Sequence, residues 1–249
     1  MQEEGEDYLT IFVTNDDGIL APGIEILALV AQSLGDRVIV VAPKTNQSGK
    51  SQSISLCQPL TVNHHDEGSF TEAYSVLGTP TDCVRLICAG AFGVQPDLIL
   101  SGVNDGANVG SDLYLSGTVG AAREAALHNV PSIAWSTENM GTQFVASLVK
   151  QYLPSLKAIA IANPGIFYNI NFPKSGGEHS AFTEPSAPCF ADRAVRVFED
   201  QILVLRELSG EIPQGSDMAC LMAHMTSVSP VEVTTQRRIG NRRTVSMVR

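Results

Sequence analysis

Apolar segments with the composition of buried β-strands alternate with segments of helical period through the first 165 residues, and this alternation restricts the fold more than any other feature. The predicted strands are Leu9–Thr14, Arg37–Ala42, Asp97–Ser101 and Ser132–Trp135. The predicted helices are Pro22–Leu34, Pro80–Cys88, Thr118–His128 and Thr142–Tyr152. Strands that are apolar throughout are covered on both faces, and helices between them make neighbouring strands parallel. The pattern therefore predicts an α/β fold with a mostly parallel sheet between two helical layers.

The later part of the chain has a different character. A polar passage rich in Gly, Ser and Pro begins at Ser175, shortly after the segment Asn169–Pro173. Ala194–Phe198 and Gln201–Leu208 have the composition of two strands of a hairpin, and Met218–Val233 is predicted to be one long extended segment. We expect a single domain, with an α/β core over residues 8–165 and a C-terminal β-hairpin extension over residues 166–249.

The charge balance argues against polyanionic partners. The 249 residues include 26 acidic and 16 basic side chains, which gives a formal net charge of −10. Such a chain is repelled by nucleic acid and by anionic membranes. Five arginines crowd the last thirteen positions, namely Arg237, Arg238, Arg242, Arg243 and Arg249. An arm that binds nucleic acid is one interpretation of these arginines, and a solvated tail or a contact between subunits is the favoured one.

Targeting signals and cysteine spacing indicate the compartment. No apolar run approaches the roughly 18 residues that cross a bilayer. The N-terminal segment MQEEGED lacks the basic-then-apolar order of a signal peptide. The five cysteines are scattered and form no CxxC pair, which indicates buried, reduced thiols. We therefore expect a cytoplasmic protein.

Two adjacent carboxylates, Asp16 and Asp17, follow the first predicted strand. Adjacent like charges repel and resist burial unless a positive group joins them. Because the carboxyl ends of parallel strands share one edge of a sheet, Ser48 and Asn104, which follow the second and third strands, can join the carboxylates there. Such oxygen donors suit Mg²⁺ or Mn²⁺. The alternative is that the carboxylates cap and charge the first turn of the helix that begins at Pro22, but capping requires neither other loop.

A glycine-rich segment, Ser101–Ala122, follows the third strand and opens the next helix with Ser116-Gly117-Thr118. Glycines let backbone N–H groups approach an anion closely, and a helix N-terminus attracts phosphate. An ordinary glycine-rich connection with Ser116 as a helix cap is the alternative. The chain has no GxxxxGK[ST], and no GxGxxG directly after its first strand, which argues against a P-loop and against a standard dinucleotide fold.

Several motifs together resemble the SurE (survival protein E) family of metal-dependent nucleotidases. They are TNDDGILAPGI (Thr14–Ile24), NQSGKSQSIS (Asn46–Ser55), GTPTDCV (Gly78–Val84), SGVNDGANVG with SGTVGAA (Ser101–Ala122) and GSD with SVSP (Gly215–Pro230). The resemblance implies a Rossmann-like core and a C-terminal extension that exchanges strands or hairpins between the subunits of a homodimer or homotetramer. It also implies a phosphomonoesterase that acts on a small-molecule substrate, a nucleoside monophosphate, as a 5'/3'-nucleotidase.

The resemblance also assigns roles to single residues. It implies one divalent cation per subunit, Mg²⁺ or Mn²⁺. The implied metal ligands are Asp16, Asp17, Ser48 and Asn104. Among these, Asp16, Asp17 and Asn104 are the catalytic candidates, and one of the two carboxylates is the candidate general base. The candidate phosphate contacts are Gly49, Asn108, Ser116, Gly117 and Thr118.

The chain departs from the family pattern at two places. The family usually has Tyr immediately before SGTV, whereas this chain has Leu115 there and Tyr114 one position earlier. The match is also poor from Ser175 to Gln214. These departures concern the rim of the predicted site and the assembly, and they leave base preference open.

Three other functions compete with this interpretation. A receiver-type signalling module also binds Mg²⁺ through an acidic pair, but it requires a phospho-accepting Asp where this chain has Asn104. A phosphatase with an aspartyl-phosphate intermediate requires a DxD spacing, which Asp16-Asp17-Gly18 lacks. A non-catalytic nucleotide-binding protein is the third alternative.

Overall fold

A computed structural model describes residues 8–65, 70–187 and 190–233. The C-terminal arginines, the acidic N-terminal segment and Cys189 lie outside the described residues. The strands are β1 Thr10–Thr14, β2 Arg37–Pro43, β3 Val62–His65, β4 Ala73–Val76, β5 Leu98–Asp105, β6 Ser132–Thr137, β7 Ile166–Phe172, β8 Ser180–Phe182, β9 Phe190–Phe198, β10 Gln201–Leu208 and β11 Thr226–Glu232. The helices are α1 Pro22–Ser33, α2 Pro80–Cys88, α3 Gly117–Leu127, α4 Thr142–Ala162 and α5 Asp217–Met222, with a 3₁₀ helix at Gly110–Tyr114.

Nine of the described strands form one mixed sheet in the order β3-β4-β2-β1-β5-β6-β7-β11-β8. In this sheet the pairs from β4 across to β7 are all parallel, and antiparallel pairing is confined to β3–β4 and β7–β11. From β1 the chain builds outward to β2 on one side and later to β5, β6 and β7 on the other. The gap between β1 and β5 is therefore the switch point of the sheet, where ligands bind beyond the carboxyl ends of strands.

Helices cover both faces of the sheet, as the apolar strands require. In β1, Ile11 and Val13 face the layer formed by α1 and α4, whereas Phe12 faces the layer that contains α2 and α3. All three side chains are fully buried. The prediction of an α/β fold with a mostly parallel sheet between two helical layers is confirmed.

The predicted boundary of α4 was wrong at its C-terminal end. The prediction stopped at Tyr152, two residues before Pro154, a residue type that lacks a backbone N–H and usually disrupts the preceding turn. The helix continues to Ala162. Leu153, Leu156 and Ala160 keep the apolar face buried beyond the proline, which is itself exposed, so packing outweighs the lost hydrogen bond.

The prediction of one extended segment over Met218–Val233 was also wrong. Its first part is the short helix α5, and only Thr226–Glu232 forms a strand. Ser216 caps α5, with its hydroxyl accepting a hydrogen bond from the Ala219 N–H. The helix depends on this cap and on the burial of Cys220 and Leu221, which the run of apolar residues alone did not distinguish from a strand.

The hairpin predicted over the later part is present as a separate two-stranded sheet, β9–β10. The residues after 165 also contribute β7, β11 and β8 to the main sheet. Among the described residues, no helix combines the length and the apolar character that crossing a bilayer requires. Cys83 and Cys220 are buried free thiols, whereas Cys57 is exposed, contrary to the expectation for that residue.

Gly23 lets α1 approach the sheet beside the switch point. A Cβ built on Gly23 would lie 1.9 Å from the backbone oxygen of Val103 in β5. Backbone oxygen at that distance cannot move away without displacing the strand. Only glycine therefore allows this close approach of helix and strand.

We expect Gly23→Ala to destabilise the protein by about 3 kcal/mol, because the added methyl group overpacks the interface between α1 and β5. The midpoint of thermal unfolding should fall by roughly 6–12 °C for a chain of this size. Leu29→Ala, at a partly exposed position of the same helix, is the control and should change it little. Equal midpoints for Gly23→Ala and the wild type would show that α1 packs less closely than described.

Candidate active site

A pocket of about 290 Å³ opens at the carboxyl edge of the sheet, beside the switch point. It is lined by Asp16, Ser48, Gly49, Asn104, Asp105, Gly106, Ala107, Asn108, Asp112, Leu115, Ser116 and Arg206. These residues come from the loops after β1 and β2, from the end of β5 and the segment that leads from it to α3, and from the hairpin strand β10. The structure thus brings together three of the four predicted metal ligands, although their function as ligands stays a prediction.

Asp16 is the most constrained of these residues. It is 2% exposed, and its carboxylate accepts a hydrogen bond from the Thr118 hydroxyl. Its backbone carbonyl accepts a hydrogen bond from the Gln47 N–H at 2.6 Å. One residue at the end of β1 therefore connects the loop after β2 with the start of α3.

Asp17 lies beside this pocket and is not among the residues that line it. Its carboxylate accepts a hydrogen bond from the Asn46 side chain at 3.3 Å. Burial, together with the negative charges of Asp16 and Asp105, raises the pKa of Asp17 to about 6 from its ordinary value of 3.8. Such a concentration of acidic groups is unfavourable unless a cation offsets it.

The capping alternative for this acidic pair is wrong. Helix α1 begins at Pro22 with Ala21 as its N-cap, and no side chain caps it. Asn15 instead closes the turn that contains the pair, because its side chain bonds both the N–H and the carbonyl of Gly18. The carboxylates therefore leave β1 toward the pocket edge and not toward the start of α1.

Ser48 approaches the pocket from the loop after β2 and Asn104 from the end of β5, the two strands that flank β1. Ser48 is exposed, and its backbone N–H donates to the side-chain oxygen of Asn46 at 2.9 Å. The Asn104 side-chain nitrogen donates to the Gly106 carbonyl at 2.7 Å, which leaves its side-chain oxygen for another partner. Gly49 has a φ of 74°, and a Cβ there would meet open space, so the loop leaves room for a ligand.

The start of α3 packs directly against Asp16. A Cβ on Gly117 would lie 2.8 Å from the Asp16 Cβ, so glycine is required for this approach. Ser116 caps the helix, with its hydroxyl accepting a hydrogen bond from the Val119 N–H at 3.1 Å. Ser116 lines the pocket, whereas Gly117 and Thr118 are buried and are not among the residues that line it. Ser116 therefore caps α3, as the alternative of an ordinary glycine-rich connection predicts. The N-terminus of α3 also lies at the pocket, as phosphate binding requires.

Asn108 lies in the pocket wall and is fixed by a buried polar network. Its side-chain nitrogen donates to Ser136 at 2.8 Å, and its backbone N–H donates to Asn171 at 2.7 Å. The side chains of Asn169 and Asn171 donate to its carbonyl. The phosphate contact predicted for Asn108 stays a prediction, and these bonds position the residue at the end of β6 and β7.

Four acidic or basic residues near the pocket were missed in the sequence. Asp105, Asp112 and Arg206 line it, and Asp217 holds its wall from behind. The fully buried Asp217 carboxylate accepts hydrogen bonds from the N–H groups of Gly110 and Ser186 at 2.8 and 2.9 Å. For Asp217, the GSD motif was an available signal. No signal in the sequence pointed to Arg206, because only the tertiary course of the hairpin places this residue at the pocket.

The donor set at this edge fits a hard divalent cation. Two carboxylates, a hydroxyl and an amide oxygen are the ligands that Mg²⁺ or Mn²⁺ accepts, usually together with water. Within residues 8–65, 70–187 and 190–233, no group of three or more His, Cys, Asp or Glu side chains is arranged to hold a metal ion. The predicted ligand set, which adds the neutral oxygens of Ser48 and Asn104 to the acidic pair, stays a prediction.

We expect Asp17→Asn to raise the thermal midpoint of the chelator-treated protein at pH 8 by about 2–4 °C, which is the effect of roughly 1 kcal/mol in a chain of this size. The raised pKa means that the folded protein holds this proton more tightly than the unfolded chain. The charge on Asp17 therefore destabilises the fold above pH 6. The gain should disappear as the pH falls from 6 to 4, where the native carboxyl is already neutral.

Glu138→Gln is the matched control, because Glu138 is exposed at the end of β6, and it should show no such pH-dependent gain. A lower midpoint for Asp17→Asn at pH 8 would contradict the account of Asp17 as an electrostatically unfavourable carboxylate.

Comparison with known proteins points to one family. The family model described as survival protein SurE matches residues 11–189. A 5'-nucleotidase SurE from Methylobacillus flagellatus is 42% identical over 172 residues, which is 66% of each chain. A 5'-nucleotidase SurE from Legionella pneumophila is 45% identical over 168 residues, 66% of this chain and 64% of the relative. The chain thus spans about two thirds of the length of these two relatives.

Longer matches extend over nearly the whole chain. The 5'-nucleotidase SurE 1 of Thermus thermophilus is 36% identical over 239 residues, 90% of this chain and 92% of that protein. The crystal structure of a SurE protein from Aquifex aeolicus has a TM-score of 0.78 and 29% identity, and the match covers 91% of this chain and 94% of that one. The resemblance read from the motifs is confirmed, and the chain belongs to the SurE family.

Proposed function

We propose that this protein is a divalent-metal-dependent phosphomonoesterase that hydrolyses nucleoside monophosphates to nucleoside and phosphate. The observation that carries the proposal is the meeting of Asp16, Ser48 and Asn104 in one pocket beside the N-terminus of α3. The relatives named 5'-nucleotidase support the substrate class. The net charge of −10 favours a small nucleotide over nucleic acid or an anionic membrane.

One divalent cation per subunit, Mg²⁺ or Mn²⁺, would be held by Asp16, Asp17, Ser48 and Asn104. When bound, the cation neutralises charge on the phosphoryl oxygens as the ester bond breaks. The hydrogen bond from Thr118 fixes the Asp16 carboxylate before any ligand arrives. This preorganisation matters because phosphoryl transfer depends mainly on positioning and charge neutralisation.

The N-terminus of α3 supplies donors for the phosphate. The first N–H groups of a helix have no intrahelical partner. The Ser116 hydroxyl accepts a hydrogen bond from the Val119 N–H. The N–H groups of Gly117 and Thr118 are therefore left to bind an anion. Gly49, on the opposite loop, offers a backbone that a phosphate can approach closely, because a Cβ there would meet nothing within 4 Å. Asn108 adds a polar wall between them.

The acidic pair also offers the general base. A water that attacks phosphorus must release a proton, and a carboxylate within hydrogen-bond reach can accept it. Thr118 occupies one oxygen of Asp16, and Asn46 contacts Asp17. Each carboxylate keeps lone pairs that can accept the proton. We therefore assign the role of general base to the pair of carboxylates as a unit.

We expect Asp16→Asn and Asn104→Ala each to lower metal-dependent phosphate release from nucleoside monophosphates by at least about 100-fold, since each removes an oxygen ligand or the charge that holds the cation. Phosphate release is measured across nucleotides with Mn²⁺, with Mg²⁺ and with chelator. Glu138→Gln is the control and should keep wild-type activity.

Three outcomes would overturn the proposal. Full activity in Asp16→Asn would remove the metal role of the carboxylate. Nucleotide binding without turnover in the wild type would identify a binding protein. A trapped acyl-phosphate after incubation with a small phosphodonor would favour a receiver module or an aspartyl-phosphate phosphatase.

We further propose that the chain forms a homodimer or homotetramer through the β9–β10 hairpin. The hairpin pairs only with itself among the described strands, and it exposes large apolar side chains. Phe198, Ile202, Leu203 and Val204 are each at least 50% exposed. Because side chains alternate along a strand, these residues expose apolar surface on both faces of the hairpin. Large exposed apolar surface marks a protein interface.

We expect the double substitution Phe198→Ser and Leu203→Ser to shift the protein toward the monomer, because it removes two apolar contacts from the interface. Mass measured by light scattering after gel filtration checks this. Leu29→Ser, on α1, changes an exposed apolar residue of the body and should leave the assembly intact. A wild-type monomer, or an unaltered oligomer in the double variant, would contradict the proposal.

A further inference from the structure

The pocket is short of positive charge. Asp16, Asp105 and Asp112 line it, and Asp17 adds a fourth carboxylate beside it. A phosphate monoester brings close to two further negative charges. Among the described residues that line the pocket, Arg206 supplies the only cationic side chain. A single divalent cation leaves much of this negative charge unbalanced, so a second positive group has a direct electrostatic function here.

The structure holds Arg206 in place at the pocket. Its guanidinium donates to the Asp112 carboxylate and, at 2.9 Å, to the Ser111 hydroxyl. Its Cζ atom lies 4.5 Å from the centre of the Phe190 ring, on the neighbouring strand of the hairpin. A hydrogen bond, an ion pair and a cation–π contact together orient the planar group. A long exposed side chain does not usually receive three such restraints.

These contacts do not use all the hydrogen-bond donors of the Arg206 guanidinium. It has five N–H donors, and the two bonds to Asp112 and Ser111 use two of them. Donors thus remain for a further acceptor on the pocket side. Guanidinium groups bind phosphate through two parallel hydrogen bonds, a geometry that lysine cannot reproduce.

We propose that Arg206 binds the phosphate group of the substrate, as a contact that the C-terminal hairpin delivers to the pocket of the core. This inference rests on the proposed phosphomonoesterase function. It assigns the hairpin a part in substrate binding in addition to its exposed apolar surface. Asp112 and Ser111 position the guanidinium, and the N-terminus of α3 supplies the other donors to the same group.

The test compares Arg206→Gln with Arg193→Gln. Arg193 lies on the same hairpin, pairs with Glu207 at 2.7 Å and points to the opposite face, because Glu207 directly follows Arg206 in the strand. We expect Arg206→Gln to raise both the KM for a nucleoside monophosphate and the Ki of inorganic phosphate roughly 10- to 100-fold, as expected for loss of a charge-assisted bond. Arg206→Lys should recover part of the loss, and Arg193→Gln should match the wild type.

A second variant separates phosphate binding from a merely structural role. Asp112→Asn breaks the ion pair but keeps the guanidinium and its hydrogen bond to Ser111, so the Ki of phosphate should rise several-fold less than it does in Arg206→Gln. If Arg206 only ties the hairpin to the loop, Asp112→Asn will raise the Ki as much as Arg206→Gln does, and the inference is wrong. Unfolding midpoints and Mn²⁺ affinities near wild type confirm that the fold and the cation site are intact.

Phosphate binding is also measured by calorimetry with Mn²⁺ present, which requires no turnover. Absence of phosphate release from every nucleotide by the wild type overturns the proposed function alone. Equal calorimetric affinities of wild type and Arg206→Gln for inorganic phosphate overturn the role of Arg206 alone. The two failures are therefore distinguishable.

Discussion

The candidate site depends on the burial of one carboxylate, that of Asp16, at the switch point of the sheet. A buried carboxylate is costly unless hydrogen bonds or positive charge compensate for the lost water. Here Thr118 donates to the carboxylate, and the Gln47 N–H donates to the carbonyl of the same residue. The requirement to satisfy this one residue holds together the loop after β2 and the start of α3, which lie about 30 and 100 positions after Asp16 in the sequence. Displacement of either segment would leave the residue unsatisfied.

The same carboxylate shows how a familiar local interaction can act across a fold. An acidic residue before a helix usually stabilises the helix that follows it. In this chain α1, which follows, begins with Ala21 as an uncapped end, and Asp16 instead contacts the N-terminus of α3. Gly117 makes this possible, since any larger residue would collide with Asp16. The attraction between an anion and a helix start is therefore used between elements that are distant in the sequence.

The sequence was sufficient where the composition and order of the strands decide the outcome. Continuous apolar strands gave the parallel sheet, and the ends of β1 and β5 located the candidate ligands, because strand order constrains where chain ends meet. The prediction failed where tertiary packing decides, as for the continuation of α4 past Pro154. Arg206 was unpredictable for the same reason. Within the apolar segment QILVLREL it has no local partner, and its contacts with Ser111 and Asp112 span more than 90 residues.

The C-terminal extension forms part of the pocket although it contains the segment least similar to the family motifs. Asp217 fixes the glycine-rich loop through Gly110, and a Cβ on Gly110 would lie 2.6 Å from the Ser186 hydroxyl, so loop and extension are closely packed. The core motifs supply the candidate oxygen ligands and the helix start, whereas the extension determines the position of the wall opposite them. Under the proposed function, sequence divergence in the extension changes which nucleotide fits the pocket while the chemistry at the edge of the sheet stays the same.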